Sequence, residues 1–315
     1  MNTRPANVLT LREILAAAEY GGYAVGSFAP RYTPMIRPIL RAARDARSPV
    51  IVQISQKELG RYGVAPAAVA EEFYAALDDE GIDVPVVLHL DHTKDVSVIE
   101  DAIAAGFTSV MIDASEHTLD DNIAITARVT AYARPRGVSV EGELGRIGTT
   151  DFVETDSDEE MYTKPDEAGR FVRETEVDAL AVSVGTAHGV YTVQQPTIDL
   201  ARLAAIRART AVPLVLHGGS GVPAALMRQA IALPGGGVSK VNIATDLELA
   251  VLGALGRAER MTDVACRALP PPELTMARDA VEKVVGEKIR GFLLSAGHAD
   301  DHQPSPLPLS RAGEG

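Results

Sequence analysis

The 315-residue chain predicts a (β/α)8, or TIM, barrel of the α/β class with extra C-terminal helices. Three observations carry that expectation. Strand-like and helix-like stretches alternate with little between them, and eight such units fit into about 240 residues, the size of a barrel of this kind. The second through eighth strands all close in polar residues. A doubly wound open sheet has the same alternation, but it spreads its strand ends along an edge, whereas a barrel gathers them on one face.

Residues 23–28 read as the first strand and 34–46 as its helix, with Met35, Ile39, Leu40 and Ala43 at helical spacing. Residues 49–54 make the second strand, ending in Ser55, and 66–77 a helix with Pro66 at its start, where a missing N–H costs no intrahelical bond. The third strand, 84–92, has an apolar run suited to a parallel strand covered on both faces, which His89, Asp91 and His92 then break. Residues 98–105 form a helix stopped by Gly106. The fourth strand, 108–112, ends in Asp113. Residues 119–132 are helical, and the fifth strand, 138–144, carries Glu141 and Glu143 on one face because strand side chains alternate.

An acidic, poorly periodic stretch, 145–164, is long for a connection and reads as a lid or a disordered loop. The rhythm then resumes with helix 165–175, strand 179–184, helix 200–209, strand 213–216, helix 223–233 and strand 238–243. Helical stretches 246–261 and 273–294 complete a single barrel domain, 1–297. The last residues, 298–315, mix Pro, Ser, Asp and Gly without a period and read as a disordered tail.

Composition excludes several functions. A net charge of −13 argues against bulk nucleic-acid binding, and the absence of tryptophan leaves few platforms for stacking bases. No apolar run is long enough to span a membrane, and residues 1–15 lack a secretory signal, so a cytoplasmic location is expected. The single cysteine, Cys266, rules out an intramolecular disulfide or a multi-cysteine metal site. A metal would have to use His, Asp or Glu.

His92, His188 and His217 follow the third, sixth and seventh strands. Three neutral imidazoles with an open fourth position form a catalytic zinc arrangement, and strand ends of one barrel can bring them together. His89, His117, His298 and His302 lack such placement and are read as structural or incidental. Gly218, Gly219, Ser220 and Gly221 allow backbone amides to approach an anion, and Asn242, Ile243, Ala244 and Thr245 open the next helix, whose free amides favour negative charge.

The motifs HLDH (89–92), EGELG (141–145), GTAHG (185–189), LHGGS (216–220) and KVNIAT (240–245) resemble those of the class II, zinc-dependent ketose-bisphosphate aldolases, a likeness that runs from about Leu9 to Leu294. The resemblance implies an enzyme that reversibly cleaves a phosphorylated ketose to dihydroxyacetone phosphate and an aldehyde, as a homodimer or homotetramer. It implies Zn2+ held by His92, His188 and His217, with Asp113 and Glu143 as acids of an alternative metal position, and a monovalent cation, Na+ or K+. Asp91 matches the acid that exchanges a proton with the C4 hydroxyl. Gly189, Gly218, Gly219 and Ser220 match the phosphate and cation region, Asn242, Ile243, Ala244 and Thr245 the rest of the substrate site, and Ser55 a further contact. The base on the mobile loop falls by position on Asp151, with Glu154 as its alternative.

The chain also departs from that pattern. Thr93 follows His92, and Thr149 and Thr150 replace a glycine-rich loop start. Ala244 is similar to tagatose-type members, whereas Gln53 and Ser55 look more like the fructose type. The substrate is therefore left among fructose- and tagatose-1,6-bisphosphate and 5-dehydro-2-deoxyphosphogluconate. A zinc hydrolase or a non-catalytic sugar-phosphate-binding protein on the same barrel are the competing classes of function.

Overall fold

The computed structural model describes residues 4–149, 161–189 and 196–302. Eight parallel strands close into a barrel: β1 (Val25–Phe28), β2 (Val50–Ser55), β3 (Val86–Thr93), β4 (Ser109–Ile112), β5 (Ser139–Leu144), β6 (Ala179–Val182), β7 (Leu214–Leu216) and β8 (Val238–Ile243). Each pairs with its sequence neighbours, and β8 closes on β1 with Ser27 opposite Asn242. The expected (β/α)8 barrel is the observed fold.

Alternation along the strands divides their residues between an outer core under the helices and the barrel interior. Val50, Val52, Leu88, Leu90, Val241 and Ile243 belong to the large outer core. Inside, Val25, Ile51, Val87, Met111, Ala179, Ala181 and Val215 form a separate apolar cluster with Leu11, Ile14, Leu15 and Ala18. Those four lie on α1 (Leu11–Gly21), which is capped reciprocally by Thr10 and Glu13 and ends at Gly22. The helix plugs the lower end of the barrel. One step further along the same strands, the inward residues become Ser27, Gln53, His89, Asp91, Glu141, Lys240 and Asn242, all buried.

The helices that follow are α2 (Ile36–Asp45), α3 (Gln56–Tyr62), α4 (Pro66–Asp79), α5 (Val96–Ala105), α6 (Leu119–Ala133), α7 (Pro165–Thr175), α8 (Leu200–Arg207), α9 (Ala224–Ile231), α10 (Thr245–Ala254), α11 (Asp263–Arg267) and α12 (Pro271–Lys288). Gly142, between the two glutamates of β5, faces outward: a Cβ there would lie 2.9 Å from the ring of Phe171 on α7. Glycine lets that helix settle on the sheet without disturbing either glutamate.

Three expectations about helices and the tail need correction. No element was expected before residue 23, yet α1 is present, because Leu11, Ile14, Leu15 and Ala18 recur at helical spacing and all are buried. The helix expected at 246–261 ends at Ala254, and α11 follows separately, capped by the Thr262 side chain. Residues 298–302, assigned to a disordered tail, are ordered: Ala299–His302 form a 3-10 turn, the His298 ring stacks on Tyr23 with centroids 4.1 Å apart, and the Tyr23 hydroxyl lies 3.0 Å from His302 Nε2. Residues 303–315 of that tail lie outside the described residues.

Candidate active site

Asp91 lies on the inward face at the end of β3, almost fully buried. Gln53 Nε2 donates to its Oδ2 at 3.0 Å and Asn242 Nδ2 to its Oδ1 at 3.1 Å. The Ser27 hydroxyl in turn donates to Gln53 Oε1, which fixes the amide with its nitrogen toward Asp91. Two amide donors from β2 and β8 thus clamp both carboxylate oxygens.

In a regular strand the residue after Asp91 would face the helices. Here the register between β3 and β4 shifts between Leu90 and Thr93, and His92 takes a positive φ of 31°. This irregularity turns His92 to the same side as Asp91, a bulge that re-aims a side chain at some cost in backbone strain. His92 Nε2 lies 2.6 Å from His217 Nδ1. The opposite ring nitrogens meet carboxylates: His92 Nδ1 is 3.2 Å from Asp113 Oδ2, and His217 Nε2 is 2.9 Å from Glu141 Oε1. Each carboxylate accepts the ring N–H it faces and leaves the other nitrogen's lone pair directed at one common point.

Glu143 completes this cluster. Its Oε2 lies 3.5 Å from His92 Nδ1 and 3.8 Å from His217 Nδ1, buried and without a hydrogen-bond donor among the described residues. Burial pushes the Glu143 carboxyl up to about 8, against the pull of His92. Burial would lower the His92 imidazole, but Asp91, Asp113 and Glu143 outweigh it and raise it to about 10. Asp113 is held well below the usual carboxylate range: burial opposes this, but His92 and Ser115 prevail. The negative charges therefore favour a cation at this point, whether a proton on His92 or a metal. Ligand atoms of Asp91, His92 and His217 lie within 4.8 Å of one another, as do those of His92, Asp113 and Glu143. An unpartnered buried carboxylate oxygen beside two imidazole lone pairs is a donor set that fits zinc.

His188 follows β6 in a two-residue parallel pairing, opposite Thr149, and its side chain lies outside the described residues. Asp151 and Glu154 lie outside them too. Gly189 has a φ of 111° and Gly218 of 68°, so both occupy backbone conformations that side chains disfavour. The Gly219 N–H donates to the Asn242 carbonyl at 3.0 Å, which joins the turn to β8 rather than leaving that amide for an anion. Ser220 Oγ accepts from the amides of Ala244 at 3.3 Å and Asp246 at 3.2 Å, binding the turn to the start of α10. Thr245 begins that helix.

Two of the predicted substrate-site positions also serve the fold. Ile243 turns its side chain into the outer core, fully buried, so only its main chain remains for a ligand. Ser55 caps α3, accepting from the Glu58 amide at 3.3 Å while Glu58 reaches back to the Ser55 amide. Its hydroxyl oxygen is thus engaged in helix capping.

Sequence reasoning assigned no role to Ser27, Glu141 or Lys240, and none in orienting Asp91 to Gln53. The available signal was alternation: each is two residues from an assigned position or from another inward one. Ligand atoms of His89, Asp91 and Glu141 also lie within 4.8 Å of one another, but the Lys240 ammonium, 2.9 Å from Glu141 Oε2, already supplies a cation there. Burial, with Lys240, holds the His89 imidazole well below its ordinary range, so this ring is neutral. Its Nδ1 is 2.8 Å from Ser109 Oγ, in keeping with a structural histidine.

Fold and site together describe a barrel enzyme in which a clamped acid stands beside a cluster with the electrostatics of a cation site. The family model for fructose-bisphosphate aldolase class-II matches residues 9–298. The chain is 35% identical to a fructose-bisphosphate aldolase of Giardia intestinalis over 96% of its length and 98% of the relative's. It is 37% identical to one of Geobacillus stearothermophilus over 91% of its length and 97% of the relative's. The crystal structure of the YdjI aldolase from Escherichia coli K12 superposes with a TM-score of 0.78 at 31% identity, covering 93% of this chain and 99% of that one. The chain belongs to the class II fructose-bisphosphate aldolase family, and it is an aldolase, a lyase of carbon–carbon bonds. Among the described residues no helix is long and apolar enough to cross a membrane.

Proposed function

We propose that the chain catalyses zinc-dependent aldol cleavage and condensation of a ketose bisphosphate of the fructose- or tagatose-1,6-bisphosphate type, with dihydroxyacetone phosphate and an aldehyde as products. The observation that carries this reading is the convergence of His92 Nε2 and His217 Nδ1, 2.6 Å apart, beside an Asp91 clamped by two amides. His92 and His217, with His188 as the third imidazole, would hold the metal. Asp113 orients His92, and Glu143 is the acid within reach of a second metal position. When bound, zinc supplies Lewis-acid withdrawal of the charge that develops as the carbon–carbon bond breaks.

Asp91 takes the proton of the C4 hydroxyl in cleavage and returns it in condensation. Gln53 and Asn242 hold its carboxylate in one orientation, so that little reorganisation accompanies the transfer. The turn of Gly218, Gly219 and Ser220, tied to the start of α10, positions a phosphate where helix amides favour negative charge. Gly189, Asn242, Ala244 and Thr245 line the same region. A monovalent cation, Na+ or K+, beside the phosphate, proton transfer at C3 by Asp151 or Glu154, and a homodimer or homotetramer complete the reading.

The test is a coupled assay that detects dihydroxyacetone phosphate from fructose-1,6-bisphosphate and tagatose-1,6-bisphosphate in turn. Cleavage of at least one, with a dependence on K+ or Na+, is expected. Cleavage of neither, with turnover of 5-dehydro-2-deoxyphosphogluconate instead, would move the substrate and leave the chemistry in place.

A further inference from the structure

Glu141 sits at the centre of the barrel interior, fully buried, and nothing in the reaction described above uses it. One of its oxygens, Oε1, lies 2.9 Å from His217 Nε2. The other, Oε2, lies 2.9 Å from the ammonium of Lys240, which is also fully buried, and 3.6 Å from His89 Nε2. A lysine buried in a barrel is costly unless it is paired, and the charge of Glu141 supplies that pair.

We infer that Lys240 and Glu141 are positioning residues that fix the tautomer of His217, so that Nδ1 presents its lone pair to the metal. A carboxylate only accepts, so the His217 proton facing Oε1 must reside on Nε2. The Nδ1 lone pair is then directed at His92 Nε2, where the two rings converge. Lys240 acts at one remove: it balances the carboxylate's charge and holds Oε2, which leaves Oε1 as the acceptor for His217. Asp113 performs the same service for His92, but it is half-buried and also bound by the Ser115 hydroxyl at 2.7 Å. The His217 arm is entirely enclosed, so no solvent molecule is needed to define its ring orientation. Outer partners of this sort are commonly worth about 10- to 100-fold in metal affinity.

This inference rests on the zinc reading of the site, and the experiment separates the two. The first measurement uses the wild-type protein, labelled with 15N in its histidines, and reads the protonation of His217 from long-range nitrogen–proton correlations with and without zinc. A proton on Nε2 in both states is expected; a proton on Nδ1 in the metal-free protein overturns the inference. The second uses the double variant Glu141→Gln/Lys240→Met, which removes both charges at once and leaves neither unpaired. Its amide can donate as well as accept, so the lock on the tautomer is lost. Zinc affinity, read by competition with a chromophoric chelator, should fall about 10- to 100-fold. His217 should show both tautomers, while the melting temperature of the metal-free protein stays close to wild type. Zinc affinity within twofold of wild type together with a single Nε2–H tautomer overturns the inference and leaves the zinc site standing. A wild-type protein that binds no zinc fails the site reading itself, whereas its His217 tautomer still decides the inference.

Discussion

The two halves of the barrel interior are built from the same strands, two residues apart, and differ in almost everything else. The lower half is a dry cluster in which Val25, Ile51, Val87, Met111 and Val215 meet Leu11, Ile14 and Leu15 of α1. The upper half replaces them with Ser27, Gln53, His89 and Asp91, Glu141, Lys240 and His217, paired with one another by hydrogen bonds and ion pairs. The lower half stabilises by burying apolar area, about 25 cal/mol per Å2. The upper half contributes little net stability, since buried charges cost desolvation, but it holds donors and acceptors in fixed directions. Stability and chemistry are thus separated by one step of strand alternation, and each half can be perturbed by itself.

The largest effect on chemistry is expected at Asp91. Asp91→Ala should lower turnover by about 100-fold or more, the scale of a lost acid–base group, with zinc still bound. Loss of the metal along with the activity would make Asp91 part of the metal's support instead. A smaller effect is expected one bond away. Gln53→Leu removes one of the two donors to Asp91 and should lower turnover about tenfold, the lower end of the roughly 1.5–3 kcal/mol typical of a hydrogen bond to a charged group, because Asn242 still holds the other oxygen. An unchanged rate would show that Asn242 alone orients the carboxylate.

The separation of the halves predicts the least effect on chemistry from the floor. Leu15→Ala should cost about 2–5 kcal/mol of stability, the range for a buried leucine, while zinc affinity and turnover remain within about twofold of wild type. A fall in turnover at a temperature where the variant is folded would show that the two halves are coupled. The pH dependence of stability should distinguish them as well. In the metal-free protein His92 is raised from 6.5 to about 10 and Glu143 from 4.5 to about 8, so the folded state binds more protons than the unfolded one across that span. Stability contributed by the His92 proton is fully present below pH 6.5 and is lost as pH rises through about 10; burial of Glu143 adds a loss between 4.5 and about 8. The melting temperature of the metal-free protein should therefore fall as pH is raised from 6 to 9, and saturating zinc should remove the decline because metal replaces the proton. A melting temperature that rises over this interval without metal would contradict the arrangement of charges at the top of the barrel.

Much of this was legible in the sequence because the period of a strand is short and strict. The run from Val86 to Leu88 followed by Asp91 and His92 marked both a buried strand and a site at its end. The eight alternations marked the barrel. His217 and Asn242 were found in the same way, at the ends of strands whose apolar character stops abruptly. Three things were less legible. Asp91 and His92 are adjacent and should face opposite ways; only the register shift and the positive φ at His92 bring both inward, and no residue type announces that. Lys240 and Glu141 each look like an ordinary charge in a strand, and their pairing depends on β5 and β8 facing across the interior. α1 was less legible for a different reason: its apolar spacing is present in the sequence, but a barrel requires no helix before its first strand, so the fold class does not call for one there.

Metal content and activity of the purified enzyme, followed through a cycle of chelation and reconstitution, decide whether the histidine cluster is a working zinc site. The active protein should hold about one zinc per chain, lose aldol cleavage when the zinc is removed, and regain it when zinc is restored. Both His92→Ala and His217→Ala should fail to recover activity in that last step, since their ring nitrogens converge on one point. Full cleavage of a ketose bisphosphate by a preparation free of metal would contradict a working zinc site.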